Sequence, residues 1–183
     1  MKRVLVTGGA AGIGLAVAQR FAQDGAQVLI CDADTAGLDR AMAATPGLRG
    51  IPCDVSQIDE IERLFAAVAE QLGGLDVLVN NVGIGGPTAP AKELSSADWQ
   101  RVMDINLTGT FEVTRRAIPL LKASAGTIIT MSSAAGRYGY PNRIAYATSK
   151  WGLIGFTKTL AMELGPHDVT ANAILPGWIN NAR

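Results

Sequence analysis

At 183 residues the chain is long enough for one domain with a substantial core and too short for two of ordinary size, so residues 1–183 are expected to fold as a single unit. Its 16 Lys and Arg balance 16 Asp and Glu, leaving no basic field to draw it onto nucleic acid or anionic lipid, and neither is an expected partner. Glycines cut short the apolar run after the basic start, and no segment reaches the roughly 18 uninterrupted apolar residues of a membrane span, so a cytoplasmic location is expected.

In chain order, residues 2–7, 26–32, 48–55, 75–81, 126–133 and 168–175 are apolar runs of strand length. The stretches between them carry helical periodicity. Ile13, Ala16, Val17 and Phe21 recur on one face before Gly25, and Ile58, Ile61, Leu64, Phe65, Val68 and Leu72 do so before Gly73 and Gly74. Ser56, three residues ahead of Asp59, is expected to cap the second of these helices. Further helices are expected from Ser96 toward Leu121 and from about Asn142 to Leu164. Strands apolar on both faces and separated by helices predict a doubly wound α/β domain, a Rossmann-like parallel sheet inside three αβα layers. Residues 82–92, rich in Gly and Pro, follow the fourth strand, where ligand-facing loops of such sheets emerge. Cys31 and Cys53 sit inside strand-like runs without metal-ligand spacing; buried free thiols, and no metal, are expected.

The first strand leads into TGGAAGIG, residues 7–14, which opens a helix. Glycines there let the backbone turn tightly and approach a pyrophosphate, while the helix N-terminus offers N–H groups and a partial positive charge. Asp32 ends the second strand 18 residues after Gly14, close to the spacing at which a carboxylate accepts hydrogen bonds from the adenosine ribose. That carboxylate would repel a 2′-phosphate, and no Arg or Lys lies in the glycine turn or just after Asp32, so NAD is favoured over NADP as cofactor.

Tyr146 and Lys150 stand four residues apart in YATSK, on one face of the expected helix, so the ammonium lies near the phenol. A phenol titrates near pH ~10, and a tyrosine acting as a base near neutrality needs about 4 kcal/mol of preferential stabilisation of its phenolate. A neighbouring lysine and the positive nicotinamide ring supply it, making Tyr146 a usable general base or acid. Ser133 closes the fifth strand, which puts its hydroxyl at the C-terminal edge of the sheet. Asn106 interrupts a stretch that otherwise reads as helix, where its amide competes for backbone groups. His167 reads as a solvated turn residue, and Trp99 and Trp151 as helix-surface or subunit-contact residues.

With these motifs in this order, the sequence resembles the short-chain dehydrogenase/reductase family over nearly its whole length. The family's TGxxxGxG pattern is matched by Thr7, Gly8, Gly12 and Gly14, with Ile13 in the last turn position between them. The resemblance implies that Asp54 and Val55 border the adenine, that Asn80 steadies the central strand, and that Pro176 and Gly177 contact the cofactor. It implies that Ser133 holds the substrate oxygen, that Lys150 also binds the nicotinamide ribose, and that Asn106 distorts its helix and anchors a water linking Lys150 to solvent. The implied activity is hydride transfer between NAD(H) and a small alcohol or ketone, in a homo-oligomer such as a dimer or tetramer.

Two departures stand out. Val82 replaces the family's usual Ala, which narrows the cleft without removing a chemical group. After Pro176 and Gly177 the chain reads WINNAR, with Asn181 where the family has a Thr for the nicotinamide carboxamide, and the family's last strand is missing. Truncation and internal deletion both account for this. Two readings of function follow: an active oxidoreductase, or a catalytically weak NAD-binding or oligomer-forming remnant of the same family. Sugar-nucleotide epimerases share YxxxK, but the glycine spacing here is not theirs.

Overall fold

The computed structural model describes residues 1–179. Six strands, β1 Arg3–Thr7, β2 Gln27–Asp32, β3 Arg49–Pro52, β4 Val77–Asn80, β5 Thr127–Met131 and β6 Thr170–Ile174, form one parallel sheet in the order β3-β2-β1-β4-β5-β6. Among the described residues the α-helices are α1 Gly12–Gln23, α2 Thr35–Ala44, α3 Ile58–Leu72, α4 Ser96–Met103, α5 Gly109–Ser124 and α6 Ile144–Leu164. Side-chain alternation along β1 produces the layers. Val4 and Val6 join a core with Ala18 of α1 and Leu38 of α2, whereas Leu5 faces the opposite way into a core with Leu64 of α3, Val113 of α5 and Leu160 of α6. Burying each such Val or Leu stabilises the fold by about 1.5–3 kcal/mol, and the double burial is why these strands read as unbroken apolar runs.

Because strand order reverses between β1 and β4, the loops leaving these two strands diverge and open a crevice at the C-terminal edge of the sheet. Among the described residues, no helix is long and apolar enough to cross a membrane, and no group of acidic, His and Cys side chains is placed to hold a metal. Cys31 and Cys53 are buried free thiols, and burial together with the neighbouring Cys53 sulfur raises the Cys31 thiol well above its ordinary range.

One local expectation is corrected. Ser56 does not cap α3: its N–H and hydroxyl both donate to Asp54 Oδ1, at 2.9 and 2.8 Å, and Gln57 occupies the cap position without a side-chain bond. The nearer carboxylate outcompetes the helix N-terminus for the serine. The irregularity expected at Asn106 is present: a π-helical turn at Asp104–Thr108 separates α4 from α5.

β1 and the turn before β4 are clamped together by Arg3 and Asp76. The Arg3 side chain donates to Asp76 Oδ1 at 2.8 Å and Oδ2 at 3.0 Å, and the Arg3 N–H adds a bond of 2.7 Å. These bonds hold the Asp76 carboxyl at about 2, below its ordinary 3.8. A depressed carboxylate stabilises the fold above its unfolded value and loses that contribution as pH falls through the folded one. Asp76→Asn is therefore expected to cost about 2 kcal/mol at neutral pH, with the gap to the parent closing on acidification. Urea melts of both proteins across this acid range check it; a gap independent of pH would refute the linkage.

Candidate active site

The glycine turn leaves β1 at Thr7, which is buried rather than open to a ligand. Its hydroxyl accepts from the N–H groups of Asn81 at 3.0 Å and Val82 at 3.2 Å. Asn81, which sequence reasoning passed over in favour of Asn80, donates its side-chain amide to the carbonyls of Thr7 at 3.1 Å and Gly8 at 2.9 Å. It thereby stitches the turn to the end of β4. Gly8 has φ +63°, a left-handed conformation suited to glycine, and a Cβ at Gly14 would collide with the Gly8 carbonyl and the Asn81 amide. Val82 packs over Gly8, where a Cβ would meet its Cγ2 at 3.2 Å. Ala11 precedes α1 without a side-chain cap, so no protein side chain occupies the cap position beside Gly12 and Ile13.

Asp32 reaches the same turn from the end of β2. Its Oδ2 accepts from Ala10 N at 3.1 Å and its Oδ1 from Asp34 N at 3.0 Å, which holds the half-buried carboxylate in place. Arg40 of α2 approaches this end of the sheet but pairs with Asp34 at 3.4 Å. Asp54 is tied locally through Ser56, while its own N–H donates to Glu60 Oε2 at 2.7 Å. Val55 turns its side chain into the core against Gly109, leaving only its main chain to face a ligand. Asn80 likewise points inward, donating to Thr114 Oγ1 at 2.8 Å. A close-packed glycine turn, a helix start without a side-chain cap and a fixed carboxylate at the end of β2 fit the pyrophosphate and ribose of a dinucleotide.

Beside this turn a cavity of about 200 Å³ gathers Ile13, Ser133, Tyr146, Lys150, Pro176 and Gly177, together with Asn81 and Gly83. Lys150 is buried, with Nζ donating to the Met131 carbonyl at 2.9 Å and lying 5.7 Å from the centre of the Tyr146 ring. Burial pushes its ammonium down to about 8, because an apolar surround disfavours the charged form. The two serines at the end of β5 divide their tasks. Both border the cavity, but the buried Ser132 donates its hydroxyl to the Lys150 carbonyl at 2.8 Å, whereas Ser133 Oγ accepts from Ala135 N at 3.1 Å. The Ser133 proton therefore has a donor role left to play toward a ligand oxygen.

Asn106 sits fully buried in the π-helical turn. Its Oδ1 accepts from Ile84 N at 2.8 Å, and its Nδ2 donates to Ile84 O at 3.0 Å and Ser149 Oγ at 2.9 Å. Ser149 in turn donates to the Tyr146 carbonyl at 2.7 Å. The amide thus links the 82–92 loop to the tyrosine helix. Asn106 Oδ1 and Lys150 Nζ also flank one spot, lying 3.3 and 3.1 Å from where a Cβ on Gly83 would stand. Arg143 secures the same loop by donating to the carbonyls of Gly85 at 3.2 Å and Gly86 at 2.7 Å. No spacing in the sequence announces either link, since each joins residues far apart in the chain. Asn181 lies outside the described residues.

A parallel sheet with a glycine turn at its switch point and a tyrosine–lysine pair beside it marks the class of dinucleotide-binding α/β proteins. The short chain dehydrogenase family model matches residues 2–182, and the chain belongs to that family of oxidoreductases. It is 39% identical over 180 residues to the 3-oxoacyl-(acyl-carrier-protein) reductase MabA of Mycobacterium tuberculosis, covering 98% of this chain and 70% of that protein. The 3-ketoacyl-(acyl-carrier-protein) reductase of Brucella melitensis, solved with NADH, superposes with a TM-score of 0.93 at 30% identity, covering 96% of this chain and 75% of that one. An actinorhodin polyketide ketoreductase variant, solved with NADPH, gives 0.94 at 38% identity, covering 97% and 70%.

Proposed function

We propose that this chain transfers a hydride between NAD(H) and an alcohol or carbonyl substrate, with Tyr146 as general acid and base. The observation that carries the reading is the convergence of Ser133, Tyr146 and Lys150 on one cavity that also borders the glycine-turn helix through Ile13. When bound, the nicotinamide accepts or donates the hydride. In oxidation, Tyr146 takes the proton of the substrate hydroxyl, and in reduction it returns a proton to the carbonyl oxygen. Ser133 donates a hydrogen bond to that oxygen and steadies its developing charge. Lys150 places its ammonium beside the phenol, favouring the phenolate, and with its own value near 8 it exchanges a proton readily near neutrality. Its second task is to hold the nicotinamide ribose. Asn106 and Ser149 fix the backbone around Tyr146, and Asn106 would anchor the water that links Lys150 to solvent.

The glycine turn from Gly8 to Gly14, with Thr7 behind it, would cradle the pyrophosphate, Asp54 and the Val55 main chain would border the adenine, and Pro176 and Gly177 would contact the cofactor. Asp32 selects NAD over NADP, because its fixed carboxylate meets the 2′ position and Arg40 is already paired with Asp34. Asp32→Ala is expected to narrow the affinity gap between NADH and NADPH by about tenfold, on the scale of removing one close like charge. Calorimetry with both nucleotides checks it, and tighter NADPH binding by the unmodified protein would overturn the preference. Residues 1–183 act as one domain in this reading. The protein works in the cytoplasm and self-associates as a dimer or tetramer, which half-exposed Phe111 and Trp151 support.

A further inference from the structure

The proton-handling groups open onto a second cavity, of about 310 Å³, shared by Ser133 and Tyr146. Its walls are Tyr138, Tyr140 and Trp178, whose rings stay open to a ligand at 61%, 40% and 96% exposure, and its remaining lining is Ala, Gly and Pro. Among the described residues, no charged side chain lines it. Of the two cations in the same stretch of chain, Arg143 is taken up by the Gly85 and Gly86 carbonyls, and the Arg137 guanidinium is engaged over the ring of Tyr138 at 5.6 Å. A carboxylate seated against these rings finds no charged partner in the lining.

The shape is as telling as the charge. Tyr140 meets Tyr146 edge to face, with ring centres 6.5 Å apart and planes at 67°, so the wall continues from the reacting phenol as an aromatic corner. Small side chains complete the lining, and the volume has room for roughly one or two fused rings. Flat apolar rings gain from stacking on such faces, a gain that a short polyol or acid does not share.

We propose that the slot bounded by Tyr138, Tyr140 and Trp178 selects an uncharged alcohol or ketone whose body is a flat apolar ring system. The proposal rests on the hydride-transfer reading and names its substrate class. Specificity is set by the aromatic wall, and reactivity by Ser133 and Tyr146 at its inner end.

The test is NADH oxidation by the full chain with four ketones: β-tetralone, butanone, levulinate and erythrulose. The expected kcat/KM for β-tetralone exceeds those for levulinate and erythrulose by at least about thirtyfold, on the scale by which a shaped pocket separates apolar from unpaired polar groups. Tyr138→Ala and Trp178→Ala should each cut the β-tetralone to butanone selectivity ratio by about tenfold, the scale of one lost aromatic contact. Levulinate or erythrulose matching β-tetralone, or a ratio unmoved by both substitutions, overturns the proposal. Failure of the underlying reading looks different: butanone reduction would then be absent, or equal in the parent and in Tyr146→Phe. In that event, calorimetry of β-tetralone and levulinate against the NADH-loaded protein decides the slot alone. Tighter β-tetralone binding that is lost in Tyr138→Ala supports it, and equal binding of the two ketones overturns it.

Discussion

Tyr146→Phe is expected to lower turnover by at least about a hundredfold, the scale of losing a positioned acid or base, while leaving NADH affinity nearly unchanged. The substitution removes one oxygen and keeps the ring. The edge-to-face contact with Tyr140 and the position of Lys150 over the ring both survive, so the cavity keeps its shape. The glycine turn, Asp32 and the buried lysine are untouched, and they are the groups assigned to the cofactor. What is lost is the atom that carries the proton between substrate and protein. Turnover followed by NADH absorbance, with calorimetry of NADH in parallel, separates the two quantities. Equal turnover in the two proteins would show that the proton travels by another route.

Lys150→Met should move activity and stability in opposite directions. Turnover is expected to fall by at least about a hundredfold, because the phenol loses the charge that favours its phenolate. NADH binding should weaken as well, since the same ammonium is assigned to the ribose. The fold, by contrast, should gain stability at neutral pH. Burial lowers Lys150 from 10.5 to about 8, so the unfolded chain holds its proton more tightly than the folded one. Below the folded value both states are charged and the full penalty of burying the ammonium applies, about 3 kcal/mol. As pH rises from the folded value to the unfolded one, the folded lysine is neutral and the penalty fades. Denaturant melts should therefore show the Met variant more stable below pH ~8, with that advantage gone above pH ~10. The Nζ bond to the Met131 carbonyl is lost in the variant and trims the gain by about 1 kcal/mol. A variant less stable than the parent at neutral pH would mean that this bond outweighs the burial penalty.

Composition, periodicity and motif spacing determine a good deal about this protein. The six strands are legible because each is apolar on both faces, a pattern that only a sheet covered by helices produces. The glycine turn, Asp32 at the end of β2 and the four-residue spacing of Tyr146 and Lys150 are local, and local spacing on a helix or at a strand end translates directly into position. Even the irregularity at Asn106 is visible as a poor helix former in a helical stretch, and a π-helical turn stands there.

Tertiary structure decides everything that depends on a partner distant in the chain. Asn80 and Asn81 are identical in composition and adjacent in sequence, but the strand pleat sends one inward to Thr114 and leaves the other to stitch the glycine turn. Which asparagine does which follows from the register of β4 beside β1 and β5, which no local signal encodes. Ser56 has the spacing of a helix cap, yet it bonds Asp54, because competition among acceptors is settled by distances in the folded turn. Asn106 and Arg143 find the 82–92 loop only because the crevice at the switch point brings that loop against the tyrosine helix. The burial that lowers Lys150 has the same origin: a lysine in a sequence is a surface charge by default, and only the packing of α6 on the end of β5 takes it out of water.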